Sequence, residues 1–264
     1  MTAAKIGPPM GAPPVVAKKK VTFGAPTTGA GHRVMLYGPG GIGKTTLASQ
    51  APGPVAFVDL DDSLGILKIP GVQVVRGIST WAELRTALQG EGWDDIKTIV
   101  IDSATRAEEL AVAHTLATVT TEGGKHVANV EGYGYGKGYG YVYDTFLPLL
   151  ADLDRHCRTG RNVMLVCHDC TTTVPNPAGE DWLRYEPRLQ SPNSGKASIR
   201  LRAREWADHC LFIGYDINVD EDGKGEGLSS RTLYPCELPH CMAKSRTCGT
   251  PMPLTVGIWS WIIK

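Results

Sequence analysis

The sequence predicts an α/β fold whose mostly parallel sheet is covered by helices on both faces. Three observations carry that reading. Short apolar runs without polar alternation recur along the chain, as strands buried on both sides require. Stretches with helical spacing and end signals separate them. A glycine-rich turn joins the first apolar run to the first helical stretch. The chain has 264 residues, 42% hydrophobic and 20% charged, enough to fill one generous core and too ordered a composition for wholesale disorder.

Taken in order, residues 1–32 hold Pro8-Pro9, Pro13-Pro14, four lysines and no acid. Such a stretch buries too little apolar surface to offset its ordering entropy, so it reads as a flexible basic tail before a single domain at 33–264. Val34-Met35-Leu36-Tyr37 begins the first buried strand, a helix starts near Lys44, and Val55-Ala56-Phe57-Val58 is the second strand. A short strand at 72–75 and a helix at 80–89, capped by Ser79 or Thr80, follow. Thr98-Ile99-Val100-Ile101 is a third buried strand and 104–119 a helix. The alternation of Gly and Tyr through 132–140 reads as a loop, with a helix resuming near 143–158. Val163-Met164-Leu165-Val166 is the next strand. Residues 169–195 carry four prolines and read as a long loop or hairpin. A basic helix at 197–206 and a strand at 210–215 come next. An acidic turn (Asp216, Asp220, Glu221, Asp222) leads to a strand near 228–234, and the last thirty residues read as β structure and turns.

Lys and Arg number 27 and Asp and Glu 27, so the net charge is zero. That argues against coating nucleic acid through a global field and leaves room for a local basic groove. The 31 glycines and 18 prolines predict long loops. Seven cysteines, an odd number without an apolar leader before them, are expected as free thiols in a reducing cytoplasm. Cys236, His240, Cys241 and Cys248 lack the paired two-to-four-residue spacing of a structural zinc site. No apolar run approaches the roughly 18 residues of a membrane span, so the expectation is a soluble cytoplasmic protein with no membrane partner.

Gly38-Pro39-Gly40-Gly41-Ile42-Gly43-Lys44-Thr45 fits G-x-x-x-x-G-K-[ST] completely, between a strand and a helix as the motif requires. Glycines let successive N–H groups converge on phosphate oxygens without Cβ interference. Lys44 then reaches the β- and γ-phosphates, Thr45 ligates Mg²⁺, and Thr46 extends the phosphate-binding set. The motif therefore implies ATP and Mg²⁺. Asp102, emerging from Ile99-Val100-Ile101, is the expected second carrier of the metal shell, with a helix N-cap as its plainer role. Asp59, Asp61 and Asp62 follow the second strand at the edge where ligands bind in such sheets. Asp61 is the expected water-activating base, with Asp62 as runner-up. His168 ends another strand on that edge and is either a γ-phosphate sensor or an ordinary loop histidine.

On Phe57-Val58-Asp59-Leu60-Asp61 and Ile99-Val100-Ile101-Asp102-Ser103, the chain resembles the RecA-like recombinase core. Tyr135-Gly136-Lys137-Gly138-Tyr139, Arg204-Glu205-Trp206-Ala207-Asp208 and Ala243-Lys244-Ser245-Arg246 make it similar to small phage-encoded RecA-like ATPases, thought to act as single-strand annealing recombinases. The resemblance spans about 33–255 and implies a RecA-like P-loop NTPase core with a β-rich C-terminal extension. It also implies binding of single-stranded DNA through two loops, at about 122–140 and 170–195. The first offers Tyr133, Tyr135, Lys137 and Tyr139, aromatic faces and a cation suited to bases and phosphates. The second, with its helix, offers Arg184, Arg188, Lys196 and Arg200; residues 184–205 hold six basic side chains against two acidic ones. The plainer readings are tyrosines packed on the body and a solvated helix face.

The family places ATP between subunits, so Lys244 and Arg246 stand where cations from a neighbour reach the γ-phosphate in the manner of arginine fingers. Self-association into a filament or ring is implied with it. Phe23-Gly24-Ala25 is then either a docking segment or a lead-in strand. A single-stranded DNA-binding protein is a further implied partner. The expected function is ATP-dependent single-stranded DNA binding that promotes annealing or strand exchange, with slow DNA-stimulated hydrolysis. A helicase-loader ATPase, a small-molecule kinase and a binding module that uses ATP only to set its assembly are the alternatives.

Overall fold

The computed structural model describes residues 21–25, 29–193, 196–220 and 225–263. Most of the expected basic tail, and Glu221 and Asp222 of the acidic turn, lie outside them. The chain runs β1 (Arg33–Tyr37), α1 (Lys44–Ser49), β2 (Val55–Asp59), α2 (Leu64–Leu67), β3 (Val72–Val74), α3 (Trp81–Gln89), β4 (Thr98–Asp102) and α4 (Ala104–Thr118). It continues through α5 (Lys137–Arg158), β5 (Asn162–Cys167), β6 (Asp169–Val174), β7 (Trp182–Pro187), α6 (Ile199–Trp206), β8 (His209–Val219) and β9 (Gly225–Tyr234). β10 (Lys244–Ser245), β11 (Met252–Pro253) and α7 (Trp259–Ile262) complete it.

The main sheet has the order β11-β9-β8-β1-β5-β4-β2-β3, with β10 also on β8. From β8 to β3 every pairing is parallel, and β9, β10 and β11 add antiparallel edges. This is the α/β class the sequence predicts. The reason is visible in β1: Met35 and Tyr37 face the cluster built with Phe146 and Leu149, while Val34 and Leu36 face Leu47 and Ala48 of α1. Both faces are apolar because both are covered.

Local signals explain most boundaries. Thr80 and Glu83 form a reciprocal capping box at the start of α3. Ser103 caps α4, accepting from the Arg106 N–H, which frees Asp102 from that role. Two expectations are corrected. The Gly/Tyr segment is not loop throughout: a 3₁₀ turn occupies Val130–Tyr133 and α5 already begins at Lys137. Gly138 lies inside that helix, where a Cβ would sit 2.1 Å from the Val130 carbonyl oxygen, so glycine there serves close packing. The C-terminal residues are also not all β and turn. Helix α7 buries Trp259, whose Nε1 donates to the Leu47 carbonyl at 2.8 Å and ties the extension to α1.

Candidate nucleotide site

Parallel pairing sets β1, β2, β4 and β5 in one register, so their C-terminal ends meet at one edge. The phosphate loop leaves β1 there. Gly41 and Gly43 take φ values of 75° and 102°, which a side chain would strain. A Cβ on Gly43 would also lie 2.7 Å from Arg231 Nη1. Lys44 is buried, its ammonium donating to the Gly38 and Pro39 carbonyls at 2.8 and 2.9 Å. Burial pulls its pKa down, and Asp102, Asp169 and Asp61 pull it back up.

Thr45 Oγ1 donates to Asp102 Oδ2 at 2.7 Å. Asp102 is buried, and desolvation with the charges of Asp61 and Asp59 pushes its carboxyl up to about 6, against the Thr45 hydrogen bond and Lys44. These carboxylates repel one another, a cost a divalent cation would relieve. Their hard oxygen donors, with the Thr45 hydroxyl, suit Mg²⁺, which prefers one or two carboxylates plus phosphates and water. The residues present therefore fit the metal. Thr45 and Asp102 would hold it, and once bound it would neutralise phosphate charge.

The three acids after β2 sit in different surroundings. Asp59 accepts from the Ser63 and Leu64 N–H groups at 3.1 and 2.9 Å and so fixes α2. Asp62 has φ 54° and is exposed. Asp61 turns into a cleft of about 380 Å³, where its Oδ2 lies 3.4 Å from His168 Nε2. Gly40, Gly41, Lys44, Thr45, Thr46 and Asp102 line the same cleft. The His168 N–H donates to Thr105 Oγ1 at 3.1 Å, and its carbonyl accepts from the Arg188 N–H at 2.8 Å. So the nucleotide edge and the second loop share backbone bonds.

Lys244 and Arg246 stand elsewhere. β10 pairs with the first residues of β8, the end of the sheet opposite the phosphate loop. The Lys244 ammonium donates to the Arg204 and Glu205 carbonyls, closing the end of α6, and Arg246 pairs with Asp208 at 2.9 Å. Neither touches the nucleotide cleft of its own chain.

The expected DNA residues divide. Tyr133 is buried, its hydroxyl donating to the Thr115 and Val119 carbonyls, which corrects the expectation that it stacks on bases. Arg184 and Arg200 are likewise corrected. Both hold the buried Glu186, and Arg184 also pairs with Glu237 at 2.8 Å. Arg204 pairs with Glu237 too. Tyr139 donates to Glu131 and is half-buried. Tyr135, Lys137, Arg188 and Lys196 are exposed, Lys137 with Glu122 at 2.5 Å. Phe23 is exposed and its segment forms no strand.

One residue escapes the sequence reading. Arg231 of β9 donates from Nη1 to the Ile42 carbonyl inside the phosphate loop at 2.7 Å. Nothing near position 231 signals this, because it depends on β9 lying two strands from β1.

Residues 30–247 match the AAA domain family, and the chain belongs to it. Fold and site together define a P-loop ATPase domain on a mostly parallel, helix-covered sheet. Among solved structures, a KaiC-like protein from the hyperthermophilic archaeon Pyrococcus horikoshii is similar at 16% identity and a TM-score of 0.45, over 89% of this chain and 90% of that one. No curated protein matches the chain. Among the described residues, no helix is long and apolar enough to cross a membrane, and no three His, Cys, Asp or Glu side chains group to hold a metal ion.

Proposed function

We propose that the protein hydrolyses ATP with Mg²⁺ and binds single-stranded DNA in a nucleotide-dependent way, promoting annealing or strand exchange. The observation that carries the hydrolytic half is the Thr45–Asp102 pair facing Asp61 and His168 across one cleft. In this reading Lys44 and the loop N–H groups hold the phosphates, and Asp61 accepts a proton from the attacking water. His168 orients Asp61 and senses the terminal phosphate. Lys244 and Arg246 serve a neighbouring subunit's site in a filament or ring, which agrees with their distance from their own.

The DNA half rests on how the two loops are joined. Gln190 Nε2 donates to the Tyr139 and Ala197 carbonyls at 2.9 and 2.8 Å, and its N–H to Glu108 Oε1 at 2.6 Å. Two residues before it, Arg188 is bonded to His168 at the nucleotide edge. A change at His168 therefore has a short covalent and hydrogen-bonded route to both loops. The cleft between them carries Glu108 and Glu131, so we assign the phosphate backbone to the rim, where Lys137, Arg188 and Lys196 are exposed, with Tyr135 for stacking.

Fluorescence anisotropy of a labelled single strand tests this, with no nucleotide, with ADP and with a non-hydrolysable ATP analogue. Tighter, salt-sensitive binding in the ATP state is the expected result. Absence of binding in every state overturns the DNA half and leaves an ATPase with another client.

A further inference from the structure

Seven arginines are half-buried or buried among the described residues. Arg33, Arg85, Arg161, Arg184, Arg200 and Arg204 each pair with a carboxylate. Arg231 does not. Its Nη1 holds the Ile42 carbonyl, and among the described residues Nε and Nη2 have no hydrogen-bond partner. Both nitrogens keep access to solvent, so the guanidinium offers an unpaired fork of N–H donors to the cleft beside the phosphate loop. Such a group is expected where an anion arrives.

The surroundings say which anion. Arg231 lines a cleft of about 180 Å³ with Thr46, Gln50, Leu254 and Val256. Gly43 and Thr46 line both this cleft and the one holding Asp61 and Asp102. The two are therefore halves of one groove across the phosphate loop. Acids and the metal-fitting pair occupy one half; the other holds a single cation, no acid, and otherwise neutral side chains.

We propose that Arg231 is a nucleotide-binding residue that takes the phosphate nearest the nucleoside, the one that AMP, ADP and ATP share. This rests on the ATP-site reading above and extends it with a residue outside the phosphate-loop motif. The charge and the donor fork match a phosphate oxygen. Its bond to Ile42 sets the guanidinium against the loop before any ligand arrives. Because it serves the shared phosphate, Arg231 contributes equally to ADP and ATP and leaves their ratio unchanged.

The test is equilibrium binding of fluorescent ADP and ATP analogues to the full chain, with AMP as competitor. Wild type, Lys44→Ala, Arg231→Gln and Arg231→Met are compared. Both Arg231 variants are expected to weaken ADP and ATP by the same factor, roughly tenfold, and to weaken AMP competition as well. In wild type, ADP is expected to protect Arg231 from phenylglyoxal, read by peptide mass spectrometry, a measurement that needs no variant to fold. Unchanged ADP affinity in a folded variant, or Arg231 modified equally with and without ADP, overturns the proposal. A loss confined to ATP also overturns it, since that places Arg231 at the terminal phosphate. Wild type that binds no nucleotide would instead sink the ATP-site reading itself.

Discussion

The nucleotide edge and the loop face beside it are built from similar materials but differ in what decides where a charged side chain ends up. At the edge, each candidate side chain ends its own buried strand or lies within a few residues of it. Lys44 and Thr45 come after β1, Asp61 after β2, Asp102 ends β4 and His168 follows β5. Parallel register brings the strand ends together, so local sequence position is enough to place the group. On the loop face, a charged side chain's availability depends on partners far along the chain. Arg184 meets Glu237, 53 residues away, and Arg204 meets the same carboxylate from 33 away. A cation count over 184–205 cannot include them. Burial decides role, and long-range pairing decides burial.

The largest effect that would break this comparison is at Glu186. Glu186→Gln leaves Arg184 and Arg200 without their buried counter-charge and should destabilise the fold by about 3–5 kcal/mol, read by urea denaturation. A loss of DNA binding with unchanged stability would return those arginines to the DNA face. Next in size, Lys44→Ala should weaken nucleotide binding about 100-fold, near 3 kcal/mol, with little change in the melting temperature of the unliganded protein. A variant that binds ATP normally would remove the ammonium from the site.

A smaller effect comes from the far end of the sheet. His209 is fully buried between His32 and Ser245, and burial, aided by the charges of His32, Arg246 and Lys244 and opposed by Asp208, lowers its pKa to about 4. The unfolded chain takes up this proton near pH 6.5 and the folded chain does not. Stability should therefore be unaffected by His209 above pH 6.5 and fall as pH drops from there towards 4, by at most about 1.4 kcal/mol per unit. His209→Asn should flatten that limb of the melting-temperature profile; an unchanged slope assigns the acid sensitivity elsewhere. Smallest of all, Arg188→Ala and Lys196→Ala should each weaken single-stranded DNA binding about threefold and reduce the salt slope by about 0.7. Retained slopes in both would leave the rim without a role.

The fold and the strand-end residues were legible because apolar runs and the phosphate-loop spacing are short-range signals. Asp61 separated from Asp59 and Asp62 only in three dimensions, where Asp59 turned out to be occupied by α2. Tyr133 looked like loop because glycine alternates with tyrosine around it. Gly138 is instead the contact that lets α5 start early and cover that ring, where a Cβ would lie 2.9 Å from Tyr133. Arg231 carried no local signal.

The central claim is that the cleft of Lys44, Thr45, Asp61 and Asp102 hydrolyses ATP with Asp61 as base. Phosphate release by wild type and Asp61→Asn, with ATP affinity measured on the same preparations, tests it most directly. The account predicts unchanged affinity and turnover lower by about 100-fold or more in the variant. Equal turnover in the two proteins would contradict it.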